Sequence, residues 1–200
     1  VYTQRLAVLE PHYVSTVDSG NLCAHLLVVA AACEGFARGD GGVPPPPAVA
    51  EALQRVAARA RAMALAHDFS WLYDPQRRLL HIGAITPPGA EPGTERLDQN
   101  HYDLLASEAR LASLVAIAKG DVPASHWGAL GRPFFSRGQV TGLKSWSGSM
   151  FEMLMPSLVL DEPTGSALAE AARAAVLEQI RTARAKGLPW GVSESAYAKR

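Results

Sequence analysis

The chain has 200 residues, 48% of them hydrophobic and 7% aromatic, with 19 lysines and arginines against 19 aspartates and glutamates. That length can bury a sizeable single core, and a formal charge of zero supplies no general attraction for nucleic acid or an anionic membrane. The longest unbroken apolar run, Leu26 to Cys33, is far short of the ~20 residues a bilayer span requires, and no signal or transit pattern opens the chain.

Val1 to Val14 carries no clear period. Val17-Asp18-Ser19-Gly20-Asn21 then opens a helix to about Arg38, capped by Asp18 or Ser19, with Leu22, Leu26 and Val29 as its expected inward face. Cys23 and Cys33 fall ten residues apart on this helix, ~15 Å along its axis, too far for a disulfide. Buried thiols and a reducing compartment are expected. A Gly- and Pro-rich connector ends at Pro47, and a second helix runs from Ala48 to about His67 with Leu53, Val56 and Ala60 inward.

Trp71-Leu72-Tyr73 and Leu79-Leu80-His81-Ile82 are short β-like runs around the turn signal Asp74-Pro75-Gln76-Arg77-Arg78, which predicts a hairpin. Thr86 to Asn100 reads as a loop. Tyr102 to Lys119 predicts a helix, stopped at Gly120, with Leu104, Leu111 and Val115 on one face. Glu108 falls in the middle of that face, so its carboxylate is turned toward a cavity or paired. The plain structural alternative is a helix edge on which Arg110 neutralises Asp103 or Glu108.

Pro123 to Leu130 predicts a short helix carrying His126 and Trp127, and Gly131 to Lys144 a loop or strand. Ser145 to Ser149 leads into a helix from Met150 to Met155 that stops at Pro156. The longest helix is expected from Ser166 to Lys186, with Leu168, Ala172, Ala175, Val176 and Ile180 inward and Gly187 as its stop. No strand–helix alternation, phosphate loop, HExxH or nucleophile elbow is present. The expected class is mainly α with a small β-hairpin.

Trp127, Trp146, Trp190 and Tyr197 lie in or near loops with Ser145, Ser147, Ser149, Ser193 and Ser195, side chains that suit ring stacking and hydroxyl contacts, although aromatics there can also be core plugs. The carboxylates near them are Glu108, Glu152 and Glu194. Two carboxylates flanking a glycosidic oxygen are the minimum equipment for cleaving or transferring a sugar, one a proton donor and the other ionised. Glu152 can equally hold a helix terminus. Glu108 and Glu194 are far apart in sequence, so only the tertiary fold could join them.

Five blocks carry a more specific signal. Val17 to Leu22, Asp68 to Asp74 (DFSWLYD), Tyr102 to Arg110 (YDLLASEAR), Ser145 to Glu152 (SWSGSMFE) and Pro189 to Tyr197 (PWGVSESAY) closely resemble, in order, the central glycoamylase-like segment of cyclic β-1,2-glucan synthases. The likeness covers roughly Ser15 to Tyr197. It implies an α/α toroid of the (α/α)6 type, or part of one. It also implies that residues 1–200, which begin at Val1 and not Met, are one segment cut from a larger multidomain protein.

The resemblance further implies closure of linear β-1,2-glucan into a ring by anomer-retaining transglycosylation. Glu108 and Glu194 would be the catalytic pair, Glu108 as nucleophile and Glu194 as acid/base, with the reverse left open. Asp103, Arg110, Trp146, Glu152, Trp190 and Tyr197 would line the glucan groove, with no cofactor and no metal. The implied partners are β-1,2-glucan and the neighbouring glycosyltransferase and phosphorylase-like domains of a polytopic parent at the cytoplasmic face of the bacterial inner membrane. No nucleic acid and no direct membrane insertion by this segment are expected. The alternatives are hydrolysis, as in the similar endo-β-1,2-glucanases, and a non-catalytic glucan-binding scaffold. Met153 departs from a usual Tyr and Ala198 from a frequent Asn, which puts a subsite in question. Carboxyl groups ~5–6 Å apart would mark a retaining pair, and ~6.5–9.5 Å an inverting one.

Overall fold

Ser15 starts the first helix: its side chain accepts the Asp18 N–H at 3.2 Å. The helix, α1, is Thr16–Arg38, with Asp18 in its first turn, Arg38 in its last and Gly39 closing it at φ 82°. The cap therefore falls three residues before the earliest position expected, because strand β1, His12–Ser15, feeds the helix directly. Residues 10–87, 89, 91, 93–138 and 140–193 are described by this computed structural model.

Helix α2 is Pro47–Ala66, its proline standing in the first turn, where a missing N–H costs nothing. It packs on α1 through small side chains. Ala30, Ala57 and Ala60 form a buried cluster flanked by Leu26 and Cys33. The expected inward faces are thereby corrected: Leu22 and Val29 on α1 are 49% and 44% exposed and Val56 on α2 is 49% exposed, while Ala24, Ala30, Ala57, Ala60 and Ala64 are buried. Alanine lets two helix backbones approach, and the bulkier residues are left outside that seam. Cys23 is a buried free thiol and Cys33 a half-buried one. Helix α1, 23 residues with an 18-residue window of mean hydropathy 1.4, could by length and composition cross a membrane, which the longest uninterrupted apolar run did not reveal.

Two three-stranded antiparallel sheets accompany these helices, more β-structure than the one hairpin expected. In the first, β1 pairs with β4 (Gly83–Thr86), which pairs with β5 (Arg96–Leu97) inside the predicted loop. In the second, β2 (Tyr73–Asp74), β3 (Leu79–His81) and β6 (His101–Tyr102) lie in that order. The predicted hairpin is β2–β3, while Ser70–Leu72 form a 3₁₀ turn instead of a strand. Its turn is built by Asp74, whose Oδ1 accepts the N–H groups of Gln76 at 2.8 Å and Arg77 at 3.0 Å.

The predicted helix from Tyr102 begins only at Arg110; α3 is Arg110–Lys119. Residues 102–105 are held instead by long-range backbone pairing, and 106–109 form bends and a turn. Tyr102 pairs with Leu80, Leu104 makes a parallel bridge to Gly131, and the Leu105 N–H donates to the Gly131 carbonyl at 3.0 Å. Helical periodicity is real from Leu111 on; before that, strand pairing wins.

By its internal contacts the chain forms two units, one from the chain up to Tyr102 with Leu111–His126, the other from Asp103–Arg110 with the chain from Trp127 on. In the first, a Cβ on Gly20 would stand 2.4 Å from the Ala112 Cα, so α1 and α3 meet at a glycine. His126, on the short α4 (Ser125–Ala129), is fully buried between the Arg78 carbonyl and Ser113 Oγ.

In the second unit, a hairpin of β7 (Phe134–Arg137) and β8 (Val140–Leu143) packs on α6, Ala167–Lys186. Helix α6 is capped by Ser166, expected as its first residue, and closed by Gly187 at φ 62°, as predicted. Ala171, Ala174, Ala175 and Ala183 form its buried face, with Leu168, Ala172, Val176 and Ile180 half-buried. Helix α5, Met150–Leu154, continues past the expected stop as a 3₁₀ turn, Met155–Leu158, because Pro156 sits where no donor N–H is required. The fold is mainly α with small antiparallel sheets.

Candidate functional site

Every described residue of the predicted site lies in the second unit: Asp103, Glu108, Arg110, Trp146, Glu152 and Trp190. Glu194 and Tyr197 lie outside the described residues, and with them the separation of the two catalytic candidates.

The loop 145–149 is organised by Glu152. This residue begins α5 as the third member of a capping box, its carboxylate returning to the Ser149 N–H while Ser149 accepts the Glu152 N–H. The same carboxylate takes the Trp146 N–H at 3.1 Å, the Ser147 N–H at 3.0 Å, Ser145 Oγ at 3.1 Å and the Ser147 hydroxyl. Glu152 is only 4% exposed. Burial pushes its carboxyl up, but the hydrogen bonds from Ser147, Ser149 and Ser145 together outweigh that and hold it below the ordinary range. It is an ionised carboxylate that folds a loop. Of the serines expected to offer hydroxyls to a ligand, Ser145, Ser147 and Ser149 are turned onto it.

Trp146 is the product of that folding. Its backbone N–H is fixed by Glu152, its indole N–H donates to Asp103 Oδ1 at 2.9 Å, and 44% of the residue remains exposed. Asp103 is exposed as well. An indole and a carboxylate locked together at the surface can offer a sugar an apolar face and a hydroxyl acceptor at once.

Arg110 is 1% exposed, the largest of the fully buried side chains among the described residues. Its Nε and Nη2 both donate to Glu162 Oε1, at 3.0 and 2.8 Å, and its Nη1 donates to the Ser107 carbonyl at 2.8 Å. Longer contacts reach the carbonyls of Glu152 at 3.4 Å and Met153 at 3.3 Å. Burial lowers its pKa and the Glu162 charge opposes that, with Glu108 adding a smaller attraction. The Arg110–Glu162 pair was not anticipated; Glu162 follows the predicted α5 helix in a stretch with no periodic signal.

Glu108 is half-buried in the turn that leads into α3, electrostatically coupled to Arg110. It stands on a turn, not on the middle of a helix face. Trp190 is 51% exposed. The segment after it is pinned to α6 and α5: Gln179 Oε1 accepts the N–H groups of Gly191 and Val192, at 3.1 and 2.7 Å, and the Val192 carbonyl accepts the Met150 N–H at 2.9 Å. The chain thus reaches the start of α5 two residues before Glu194.

Two open cavities of about 360 Å³ each adjoin this loop and share Ser147, Gly148, Glu178 and Gln179. Trp146 and Met153 line one, and Val192 and Ser193 line the other. Glu178 on their common rim is pulled down to about 2, first by its hydrogen bond from Arg181 and further by Arg137 and Thr182. Among the described residues of this unit, no three His, Cys, Asp or Glu side chains converge closely enough to hold a metal ion. Trp127, also considered for stacking, is half-buried on α4.

No family model matches the chain. It is 45% identical over 197 residues, 98% of its length, to the cyclic beta-(1,2)-glucan synthase NdvB of Rhizobium meliloti (strain 1021). The chain spans 7% of the length of that relative.

Proposed function

We propose that this chain, which corresponds to a segment of a cyclic β-1,2-glucan synthase, closes linear β-1,2-glucan into a ring by anomer-retaining transglycosylation. The observation that carries the reading is the likeness itself, 45% identity sustained over 98% of the chain. The site geometry supports it by gathering Asp103, Glu108 and Trp146 in one unit.

In this reading Glu108 is the nucleophile and Glu194 the acid/base. Arg110 lies close enough to Glu108 for a coulombic attraction between the two. The Glu108 carboxylate attacks the anomeric carbon while Glu194 gives its proton to the departing glucan oxygen. The free 2-hydroxyl at the other end of the same glucan then attacks the glycosyl ester. Glu194 takes that hydroxyl's proton, the ring closes with the original anomeric configuration, and Glu108 is released as carboxylate. Asp103, Trp146, Trp190 and Tyr197 line the groove, and Arg110 and Glu152 shape its wall from behind. The chain forms part of an (α/α)6 toroid, completed within a membrane-bound parent whose neighbouring domains elongate and trim the glucan at the cytoplasmic face.

One observation favours a second reading. The Asp103 carboxylate is exposed and fixed by the Trp146 indole, a suitable place from which to activate water. Hydrolysis would follow. Incubating the parent enzyme with linear β-1,2-glucan separates the two: transglycosylation yields rings without new reducing ends, and hydrolysis yields short reducing oligosaccharides. Unchanged glucan would leave the segment a binding scaffold and contradict both.

A further inference from the structure

The sheet β2-β3-β6 carries an arrangement outside the glucan site. In its register Asp74 faces Leu79 and His81 faces His101. Directly opposed residues of antiparallel strands share a face, and residues two apart on one strand share it too. Asp74, His81 and His101 are therefore set on one face, one from each strand. Tyr73, Leu80 and Tyr102 take the other, where Tyr73 meets the edge of His126.

The three ligating atoms lie within 4.8 Å of one another. His101 Nε2 is 3.2 Å from Asp74 Oδ2, on a side chain only 8% exposed, yet it is buried without a hydrogen-bond partner. The approach is close but out of line for a hydrogen bond. Two ligands ~2.0–2.1 Å from a tetrahedral ion stand roughly 3.3 Å apart. The spacing is that of two atoms aimed at a common point.

Hydrogen bonds orient two of the three groups as a ligand requires. His81 Nδ1 lies 2.6 Å from the Asp98 carbonyl, so Nδ1 carries the hydrogen and Nε2 presents its lone pair. The Gln76 and Arg77 N–H groups occupy Asp74 Oδ1 and leave Oδ2 toward the histidines. The His81 and His101 rings are 4.2 Å apart between centroids. A simple Asp–His pair needs one imidazole; a second, its ring tilted 36° against the first, is accounted for by a shared ion. The nearest competing cation, the Arg77 Nε at 3.9 Å from Oδ2, belongs to a 68% exposed side chain that is free to swing away.

We propose that Asp74, His81 and His101 bind one divalent transition-metal ion of the zinc class. Two imidazole nitrogens and one carboxylate oxygen suit that class better than calcium or magnesium, which prefer all-oxygen shells. Three protein ligands leave one position for water. Since each ligand comes from a different strand, the ion clasps three strands of only two or three residues each, too short to hold together well by themselves.

The test uses the full chain, stripped with chelator and titrated with Co2+ while the visible d–d absorption is followed. One equivalent should saturate, with the intense band of low-coordinate cobalt, and Zn2+ should displace it and raise the thermal midpoint. His81→Ala and His101→Ala should each weaken Co2+ binding by ~100-fold or more. Should either variant lose its circular dichroism, Asp74→Asn, which keeps the turn's acceptor, and His101→Gln replace it with the same expectation. Absence of saturable Co2+ binding by the unaltered chain overturns the proposal, and so does binding that survives in the folded variants.

Discussion

The indole N–H of Trp146 donates to Asp103 Oδ1 at 2.9 Å, joining an exposed aromatic in the 145–149 loop to a carboxylate 43 residues earlier in the chain. Neither residue is buried, so the bond adds little to the core. What it fixes is the relative position of a stacking surface and an acceptor. Trp146→Ala should therefore weaken binding of linear β-1,2-glucan by about tenfold, equivalent to ~1.4 kcal/mol. Trp146→Phe, which keeps the ring and loses the N–H, should fall between that variant and the unaltered protein. Calorimetric titration with the glucan reads both, and circular dichroism should be unchanged.

Arg110 behaves as a buried structural cation. Removing it alone leaves Glu162, whose side chain is 10% exposed, without its counter-charge. Arg110→Met should cost ~3–5 kcal/mol in urea denaturation. The double change Arg110→Met with Glu162→Leu should recover most of that, since an apolar pair of similar volume replaces a desolvated ion pair. A single-variant cost below ~1 kcal/mol would show that the guanidinium is not held as described.

Two carboxylates predict acid lability with a defined sign. Glu152 is held below its ordinary pKa by its loop hydrogen bonds against the opposing effect of burial, and Glu178 is pulled from 4.5 to about 2 by Arg181, Arg137 and Thr182. A folded-state pKa below the unfolded one contributes stability that is fully present above the unfolded value and is lost as pH falls through the folded one. The thermal midpoint should accordingly decline from about pH 4.5 downward and keep declining toward pH 2. Glu178→Gln should flatten the lower part of that curve. Glu152→Gln should lower the midpoint already at pH 7, through a stability loss of ~1–3 kcal/mol, because a neutral amide cannot accept every N–H and O–H now turned on the carboxylate. A midpoint independent of pH in this window would contradict the assignment.

Gly20 is required by packing. A methyl at this position would lie 2.4 Å from both the Cα and the Cβ of Ala112. No flexible side chain can yield there, so Gly20→Ala should destabilise by ~1–3 kcal/mol or more despite alanine's better helix propensity. Chemical denaturation compared with Ala24→Gly, a change of the same size elsewhere on α1, checks it.

Much of the helical framework was legible from periodicity and punctuation. Gly187 closes α6 where its helix stop was expected, and the Asp74 turn signal located the β2–β3 hairpin. The failures share one cause, contacts made at long range. YDLLASEAR is helical in pattern, but Tyr102 pairs with Leu80 and Leu104 with Gly131, so the helix starts at Arg110. The burial of alanines in place of Leu22, Val29 and Val56 reflects a close helix seam that hydrophobicity alone does not signal. In the site, Glu152 as a helix-capping carboxylate was readable from S-x-x-E spacing. Glu162 was not, and neither was the Asp74, His81 and His101 grouping, because no local spacing announces residues that three separate strands bring together.

Ring closure by the parent enzyme reads most directly whether the two glutamates act as a pair. Linear β-1,2-glucan is supplied to the unaltered parent, to Glu108→Gln and to Glu194→Gln, and cyclic product is quantified by mass. Each substitution should lower ring formation by ~10³-fold or more, with glucan elongation upstream unaffected. A parent that still closes rings at its normal rate with either glutamate neutralised would contradict the claim.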